Sequence, residues 1–314
     1  MRVVISALSK NYGSKRVVKD LSFEIPEGKV TGFLGPNGSG KTTTMSLMLG
    51  LIAGNGRATF DGSPYVSLAQ GNRRVGAYLG PENFNPKFTA KQHLALSAFA
   101  RGVKRSRVTE VLHEVGLESV RNTKIKAFST GMRQKLGIAT ALLSQPEILI
   151  LDEPANGLDP QSVLWLRNTL SDFAKAGGSV FISSHLLSEI SQFAEHLVVM
   201  AQGELLASEP MDDFLARLTP VAFKVRTTNS EIYAHALAAK GLTCDRVSKD
   251  VIEVHATDSR ELLEVALQSN SSVMELTPVG SGVEDVFMAL TAGLEEYQSG
   301  ADARTAGEME APHA

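Results

Sequence analysis

Short apolar segments separated by polar or glycine-containing breaks fill the first 60 residues, a pattern typical of β-strands. The candidate strands there are Val3–Ala7, Leu21–Ile25, Val30–Leu34 and Arg57–Phe60. Two later runs, Ile148–Leu151 and Val180–Ile182, are continuously apolar, as expected for parallel strands covered on both faces. Before these runs, residues 90–143 place apolar side chains mainly at helical spacing. The pattern predicts an α/β fold with a mixed sheet core and a helical subdomain at about residues 84–145.

A second pattern begins near residue 218 and predicts a smaller α+β domain. Its predicted strands are Val221–Val225, Ile252–Val254 and Val273–Thr277, and its predicted helices are Ser230–Lys240, Asp258–Gln268 and Val283–Leu290. The interpretation as βαββαβ suits a ferredoxin-like domain. We place the domain boundaries at residues 1–217 and 218–292. Residues 293–314 are expected to form a disordered tail, because large apolar side chains are almost absent from the end of the chain.

The third predicted strand is followed by a glycine-rich loop and then a helix-like stretch. Gly35, Gly38 and Gly40 are expected to let the backbone adopt positive φ, so that successive N–H groups turn toward phosphate oxygens. The helix that follows adds its positive N-terminal end. Lys41 supplies a cation for the β- and γ-phosphates, and the Thr42 hydroxyl is placed to ligate Mg²⁺. An ordinary turn with an exposed lysine is the alternative, but the flanking strand and helix favour a phosphate-binding loop.

Three strand ends are predicted to meet at one edge of the sheet, where ligands bind. The glycine-rich loop follows one strand, Asp152 and Glu153 follow the first apolar run, and His185 follows the second. Asp152 is placed to hold Mg²⁺ opposite Thr42. Glu153 is the candidate to orient and activate the attacking water, and His185 to hydrogen-bond the γ-phosphate. Taken alone, the two carboxylates could cap a helix, and the histidine could be an ordinary packed residue. Because all three follow strand ends at the same edge of the sheet, a catalytic role is favoured.

A second candidate anion site lies in the helical subdomain. Ser129 and Gly131 precede the predicted helix Lys135–Leu143, where a hydroxyl and free N–H groups would face an anion. Since the loop at Lys41 already accounts for the phosphates of this chain, this helix start is expected to face a nucleotide on another copy. The alternative is that Ser129 is a simple N-cap.

Size and charge narrow the classes of partner. The 314 residues carry a formal net charge of -3, which gives no basic field and predicts no nucleic-acid partner. The single cysteine cannot form an internal disulfide. No apolar run approaches the roughly 18 residues that span a bilayer, so a membrane role would act through a partner.

In their order along the chain, these motifs resemble those of the ATP-binding subunits of ATP-binding cassette (ABC) transporters. The matching segments are Gly35–Thr43 for the Walker A loop, Ile148–Glu153 for Walker B, Phe128–Met132 for the signature motif, Asn156–Asp159 for the D-loop and His185 for the switch histidine. The resemblance implies that ATP is held by Tyr12, Gly35, Pro36, Asn37, Gly38, Ser39, Gly40, Lys41, Thr42, Thr43, Ser129, Gly131 and Asp159. Tyr12 matches the aromatic residue that stacks on adenine. Lys41, Glu153 and His185 are then the catalytic residues, and Thr42 and Asp152 the Mg²⁺ ligands.

The resemblance also implies partners and location. The family forms a head-to-tail dimer closed over two MgATP, so a second cassette, expected to be an identical copy, and an integral-membrane permease are predicted. The protein would lie at the cytoplasmic face of the membrane and drive export of a drug, peptide antibiotic or lipid. The alternative is a soluble ABC-type ATPase switch without a transport role. Such relatives usually carry two cassettes or long coiled coils, and this chain shows neither. A P-loop kinase would leave the signature-like helix and His185 unexplained.

Two features near residue 80 modify this expectation. The family places a glutamine or an acidic residue where this chain has Gly80, and Glu82 is the candidate substitute. Phe84 and Phe88 either line a groove for a helix of the permease or pack into the local core.

Overall fold

The computed structural model of the protein describes residues 1–80, 84–216, 222–256 and 258–279. Its first nine strands are β1 Val3–Tyr12, β2 Lys15–Ile25, β3 Val30–Leu34, β4 Asn55–Phe60, β5 Val75–Tyr78, β6 Ile148–Leu151, β7 Ser179–Ser184, β8 His196–Ala201 and β9 Glu204–Pro210. The helices among them are α1 Lys41–Met48, α2 Gly71–Arg74, α3 Ala90–Ala100, α4 Ser106–Glu114, α5 Thr130–Leu142, α6 Pro160–Lys175, α7 Leu187–Ile190 and α8 Met211–Ala216.

A six-stranded sheet positions the predicted site. Its strand order is β5-β6-β7-β3-β8-β9. The strands from β5 to β8 are parallel, and β9 is antiparallel to β8. Because β7 lies between β3 and β6, the segments that follow these three strands meet at one edge of the sheet. The α/β class and mixed sheet predicted from the sequence are confirmed.

The two faces of this sheet build two hydrophobic cores. On one face, residues of the antiparallel sheet β2-β1-β4 pack against it, and the rings of Phe23, Phe33 and Phe181 lie within 5.9 Å of one another. On the other face, apolar residues of α3, α4, α5 and α6 share one buried cluster with residues of β6 and β7. Full burial of each such aromatic side chain stabilises the fold by roughly 1.5–3 kcal/mol. Because both faces carry a buried cluster, the sheet is packed from both sides.

A capping box fixes the start of α3 in the helical subdomain. Thr89 caps α3, since its hydroxyl accepts from Gln92 N while the Gln92 side chain accepts from Thr89 N. Phe84 and Phe88 are partly buried against the core, and the Phe84 ring meets His93 edge-on at 5.0 Å. Their packing favours the local-core interpretation of these two residues.

The C-terminal strands and helices follow the expected βαββαβ order, and they include one strand, Cys244–Arg246, that was not located in the sequence. They are β10 Ala222–Thr227, α9 Ser230–Ala239, β11 Cys244–Arg246, β12 Val251–Val254, α10 Ser259–Gln268 and β13 Val273–Val279. The sheet order is β11-β12-β10-β13, with every neighbouring pair antiparallel. Its core contains Tyr233, Leu237 and Leu262. The helix expected at Val283–Leu290 and the tail expected from residue 293 lie outside the described residues, as does the proposed boundary at 217/218. Within the described ranges, no helix has both the length and the apolar character needed to cross a membrane.

Candidate active site

The glycine-rich loop joins β3 to α1 at the edge of the sheet. Gly38 and Gly40 have φ of 82° and 108°, as predicted. The same prediction for Gly35 was wrong, because Gly35 lies outside the left-handed region. Gly35 is needed for close packing instead: a Cβ there would lie 2.6 Å from Ser39 Oγ and would collide with the Met200 carbonyl oxygen of β8. The loop is therefore packed directly onto the neighbouring strand.

Lys41 begins α1 and turns back over this loop. Its side chain is only 6% exposed, and Nζ donates to the Gly35 carbonyl oxygen at 2.6 Å. Nζ also lies 3.3 Å from Glu153 Oε1. A buried ammonium group held by a carbonyl and a carboxylate is positioned to exchange these partners for phosphate oxygens.

Thr42 and Asp152 form the second contact between the loop and β6. Thr42 Oγ1 donates to Asp152 Oδ2 at 2.5 Å, and Ser183 Oγ donates to Asp152 Oδ1 at 2.5 Å. A hydroxyl and a carboxylate in contact are suitable ligands for Mg²⁺, which binds proteins through one or two carboxylates and keeps phosphate and water ligands. No group of three or more His, Cys, Asp or Glu side chains with metal-binding arrangement occurs among the described residues. The Thr42 hydroxyl and the Asp152 carboxylate fit an Mg²⁺ ion that keeps phosphate and water ligands.

Glu153 lies between two of the predicted functional side chains. Its Oε2 is 3.0 Å from His185 Nδ1, and its Oε1 faces Lys41 without accepting a hydrogen bond from any described residue. Its φ is 45°, a conformation that costs a non-glycine residue of order 1–3 kcal/mol. The Glu153 N–H donates to Ser183 Oγ at 2.8 Å. The structure therefore brings Lys41, Glu153 and His185 into one cluster.

Three of the predicted ATP ligands, Ser129, Gly131 and Asp159, lie at the starts of α5 and α6 and not in the Lys41 cluster. Ser129 caps α5 by accepting from Met132 N at 3.2 Å, and α5 begins at Thr130 rather than at the expected Lys135. Gly131 packs on the 156–159 loop, since a Cβ there would be 3.5 Å from the Gly157 carbonyl oxygen. Asp159 caps α6, where the backbone and side-chain hydrogen bonds of Ser162 lower the Asp159 pKa. Both polar side chains thus have structural partners within the chain, and their roles toward ATP stay predictions.

The remaining predicted ligands surround the loop. Tyr12 ends β1 with 52% of its surface exposed, and Lys10 Nζ lies 4.9 Å from the centre of its ring. The paired strand β2 reaches the loop, because a Cβ on Gly40 would be 2.8 Å from the Val17 carbonyl oxygen. Ser39 Oγ is buried with no hydrogen-bond partner in the described ranges, as expected of a group awaiting a phosphate. The other predicted loop ligands are Pro36 and Thr43, which are partly buried, and Asn37, which is exposed.

The sequence did not reveal three side chains that organise the site. Ser183 bonds both acidic residues, and Tyr78 OH donates to Gln134 Oε1. A polar residue ending an apolar strand was a usable signal for Ser183. Gln134 gave no comparable signal, because helix periodicity does not reveal which polar residue is buried. Glu82, the candidate substitute for the acidic residue missing at Gly80, lies outside the described residues.

Known proteins share both the sequence and the fold. A family model described as ABC transporter matches residues 18–156. The bacitracin transport ATP-binding protein BcrA of Bacillus licheniformis is 34% identical over 293 residues, which cover 91% of this chain and 96% of that protein. The lantibiotic transport ATP-binding protein SrtF of Streptococcus pyogenes is 34% identical and covers 66% of this chain and 90% of that protein.

A solved structure described as the ATP binding subunit of an ABC transporter gives a TM-score of 0.63 at 27% identity, covering 69% of this chain and 93% of that one. The residues matched by the family model, 18–156, include the glycine-rich loop and both carboxylates that follow β6, which are the parts of the site described above. The chain therefore belongs to the ATP-binding subunits of ABC transporters, a family that binds ATP and hydrolyses it to drive transport.

Proposed function

We propose that two copies of this chain close over two MgATP and that the closing and reopening of this dimer drive a membrane permease. The observation that carries the catalytic part is the position of Glu153, within 3.3 Å of Lys41 and 3.0 Å of His185. This cluster combines a candidate base with two groups able to hold phosphate oxygens.

The contacts suggest how the site is used. Lys41 Nζ exchanges the Gly35 carbonyl oxygen and Glu153 for the β- and γ-phosphates. Thr42 and Asp152 are the residues that would hold Mg²⁺, which neutralises phosphate charge when bound. Glu153, released from Lys41, takes a proton from water as the water oxygen attacks the γ-phosphorus and ADP leaves. His185 holds the γ-phosphate from the end of β7.

In this proposal the start of α5 faces the ATP that is bound by the second copy. Ser129 and the first N–H groups of α5 form an anion-binding helix start, while Lys41 serves the phosphates of its own chain. We infer that Ser129 and Gly131 complete the site of the partner copy, and that Tyr12 stacks on adenine at its own site. Asp159, at the start of α6, is assigned to the same interface.

The names of two relatives support a proposal for cargo and location. BcrA is named for transport of bacitracin and SrtF for transport of a lantibiotic. We propose that this chain works at the cytoplasmic face of the membrane with a separate permease that exports a peptide antibiotic, with drugs and lipids as other cargo classes. The domain boundaries at 1–217 and 218–292 are part of this proposal.

The test uses an affinity-tagged Glu153→Gln chain. The variant should bind MgATP with unchanged affinity, lose nearly all turnover and shift to a dimer at saturating MgATP, because the amide cannot accept the proton from water. Purification of this trapped form from detergent-solubilised membranes should recover a polytopic membrane protein. Normal turnover would remove Glu153 from the mechanism, and recovery of no membrane protein would support a soluble ATPase switch.

A further inference from the structure

Gln134 is a polar side chain in the second turn of α5 that is only 4% exposed. Its Oε1 accepts a hydrogen bond from the Tyr78 hydroxyl of β5. Its Nε2 lies 2.9 Å from the Asn156 carbonyl oxygen and 3.4 Å from the Glu153 carbonyl oxygen. One amide therefore connects α5 with β5, with Glu153 and with the loop that leads to α6.

The contact with Glu153 involves the backbone in its strained conformation. The φ of 45° persists only if the surrounding structure holds it. On its amino side the Glu153 N–H donates to Ser183 Oγ at 2.8 Å, and on its carbonyl side the oxygen faces Gln134 Nε2. The same carbonyl oxygen also accepts from Asn156 N at 3.2 Å, so Ser183 supports the amino side of this residue and Gln134 is one of two donors on its carbonyl side. The backbone of Glu153 sets where its carboxylate points.

Tyr78 fixes Gln134 in turn. Its hydroxyl, at the end of β5, donates to Gln134 Oε1. The Tyr78 carbonyl oxygen accepts from Asp152 N at 2.8 Å. Its ring fills the space beside Gly137, where a Cβ would collide with it. The orientation of Gln134 is therefore set by β5 and by the segment that follows β6.

The start of α5 carries Ser129, one turn before Gln134. This inference rests on the proposed function, in which Ser129 and Gly131 face the ATP of the partner copy. We propose that Gln134 is a positioning residue: it joins the start of α5 to the backbone of Glu153, so that engagement of α5 by the second nucleotide sets the position of the water-activating carboxylate.

The test removes the polar network while keeping its shape. In the double variant Tyr78→Phe/Gln134→Met, both side chains become apolar groups of similar size. The Glu153 carbonyl oxygen keeps Asn156 N as a donor, whereas the Asn156 carbonyl oxygen loses its side-chain donor, so we expect a measurable loss of stability. We expect kcat for ATP to fall about tenfold, since small misplacements of a catalytic group cost one to two orders of magnitude. KM and the affinity for MgATP, measured by calorimetry, should stay within about twofold of wild type, because Gln134 touches neither Lys41 nor Thr42. Restoring Gln134 alone, in Tyr78→Phe, should return part of kcat.

A matched control is Thr140→Val on the same helix. Thr140 Oγ1 donates to the Leu136 carbonyl oxygen and contacts His93 Nε2 at 3.1 Å, away from Glu153. This variant should lose thermal stability without a selective loss of kcat.

The inference is overturned if the double variant turns over ATP at the wild-type rate, or if its kcat falls no more than that of Thr140→Val at equal loss of stability. Should the double variant fail to fold, Tyr78→Phe alone, which removes only the donor to Gln134 Oε1, is compared with Thr140→Val in the same way. Normal turnover of Glu153→Gln would instead count against the proposed function itself.

Discussion

Ser183 shows how one hydroxyl can set the geometry of two carboxylates. It donates to Asp152 Oδ1 at 2.5 Å and accepts from Glu153 N at 2.8 Å. Because β7 lies between β3 and β6, a residue near its end is in reach of both neighbouring strand ends. Ser183 is 1% exposed, so neither bond is replaced by water when the hydroxyl is removed.

We predict that Ser183→Ala lowers kcat by about tenfold with a smaller change in KM for ATP. The Asp152 carboxylate would lose a donor, and the strained backbone of Glu153 would lose the acceptor of its N–H. Steady-state ATPase kinetics measure the effect, and Ser183→Thr, which keeps the hydroxyl, should retain most of the activity. Equal kcat for Ser183→Ala and wild type would show that the hydroxyl does not position these groups.

Motifs in the sequence identified Lys41, Asp152, Glu153 and His185 as neighbours, and the structure brings them together. Their chemistry depends on residue type and on the strand that each follows, both of which the sequence displays. The positive φ of Glu153 and its supports arise from tertiary packing, which is why residue patterns alone did not predict them. Gly35 was assigned the wrong role because glycine serves either positive φ or close packing, and the sequence does not distinguish these uses.

At the scale of elements, the packing of α5 on β5 links the helical subdomain to the sheet. Gly137 lies where the Tyr78 ring approaches the helix, and Tyr78 also bonds Gln134. The sequence predicted helical structure at residues 90–143, but not which strand of the sheet α5 covers. The strand order places β5 at the edge of the sheet beside β6, and this order depends on long-range pairing that local patterns do not encode.

We predict that Gly137→Ala destabilises the protein by about 1–3 kcal/mol, because the added methyl group meets the Tyr78 ring. Two effects oppose each other here. In a helix with free space, the same substitution would stabilise by roughly 0.5–1 kcal/mol through its helix propensity. The sign of the change in urea unfolding midpoint therefore decides between them. A higher midpoint would contradict the close contact, and a smaller loss in a Tyr78→Leu background would localise the cost to the ring.

At the scale of the whole molecule, the chain holds the parts of an ATP site in two places. Glu153 contacts both Lys41 and His185, whereas Ser129 caps α5 and accepts from Met132 N. If two copies close head to tail, the first group comes from one chain and Ser129 from the other. Each site would then combine Lys41 and Glu153 of one chain with Ser129 of the other, and a substitution in either set would disable it.

This arrangement predicts complementation between inactive variants. Lys41→Ala and Ser129→Arg chains should each be inactive alone, because every site in either homodimer lacks one half. When the two are mixed, a mixed dimer contains one intact site, so random pairing should restore about a quarter of wild-type specific activity. The control mixture is Lys41→Ala with Glu153→Gln: these residues contact each other within one chain, so a mixed dimer has no intact site and should stay inactive. Equal activity in both mixtures would contradict a site shared between copies, and recovery in the first mixture alone would place Ser129 at the partner's ATP.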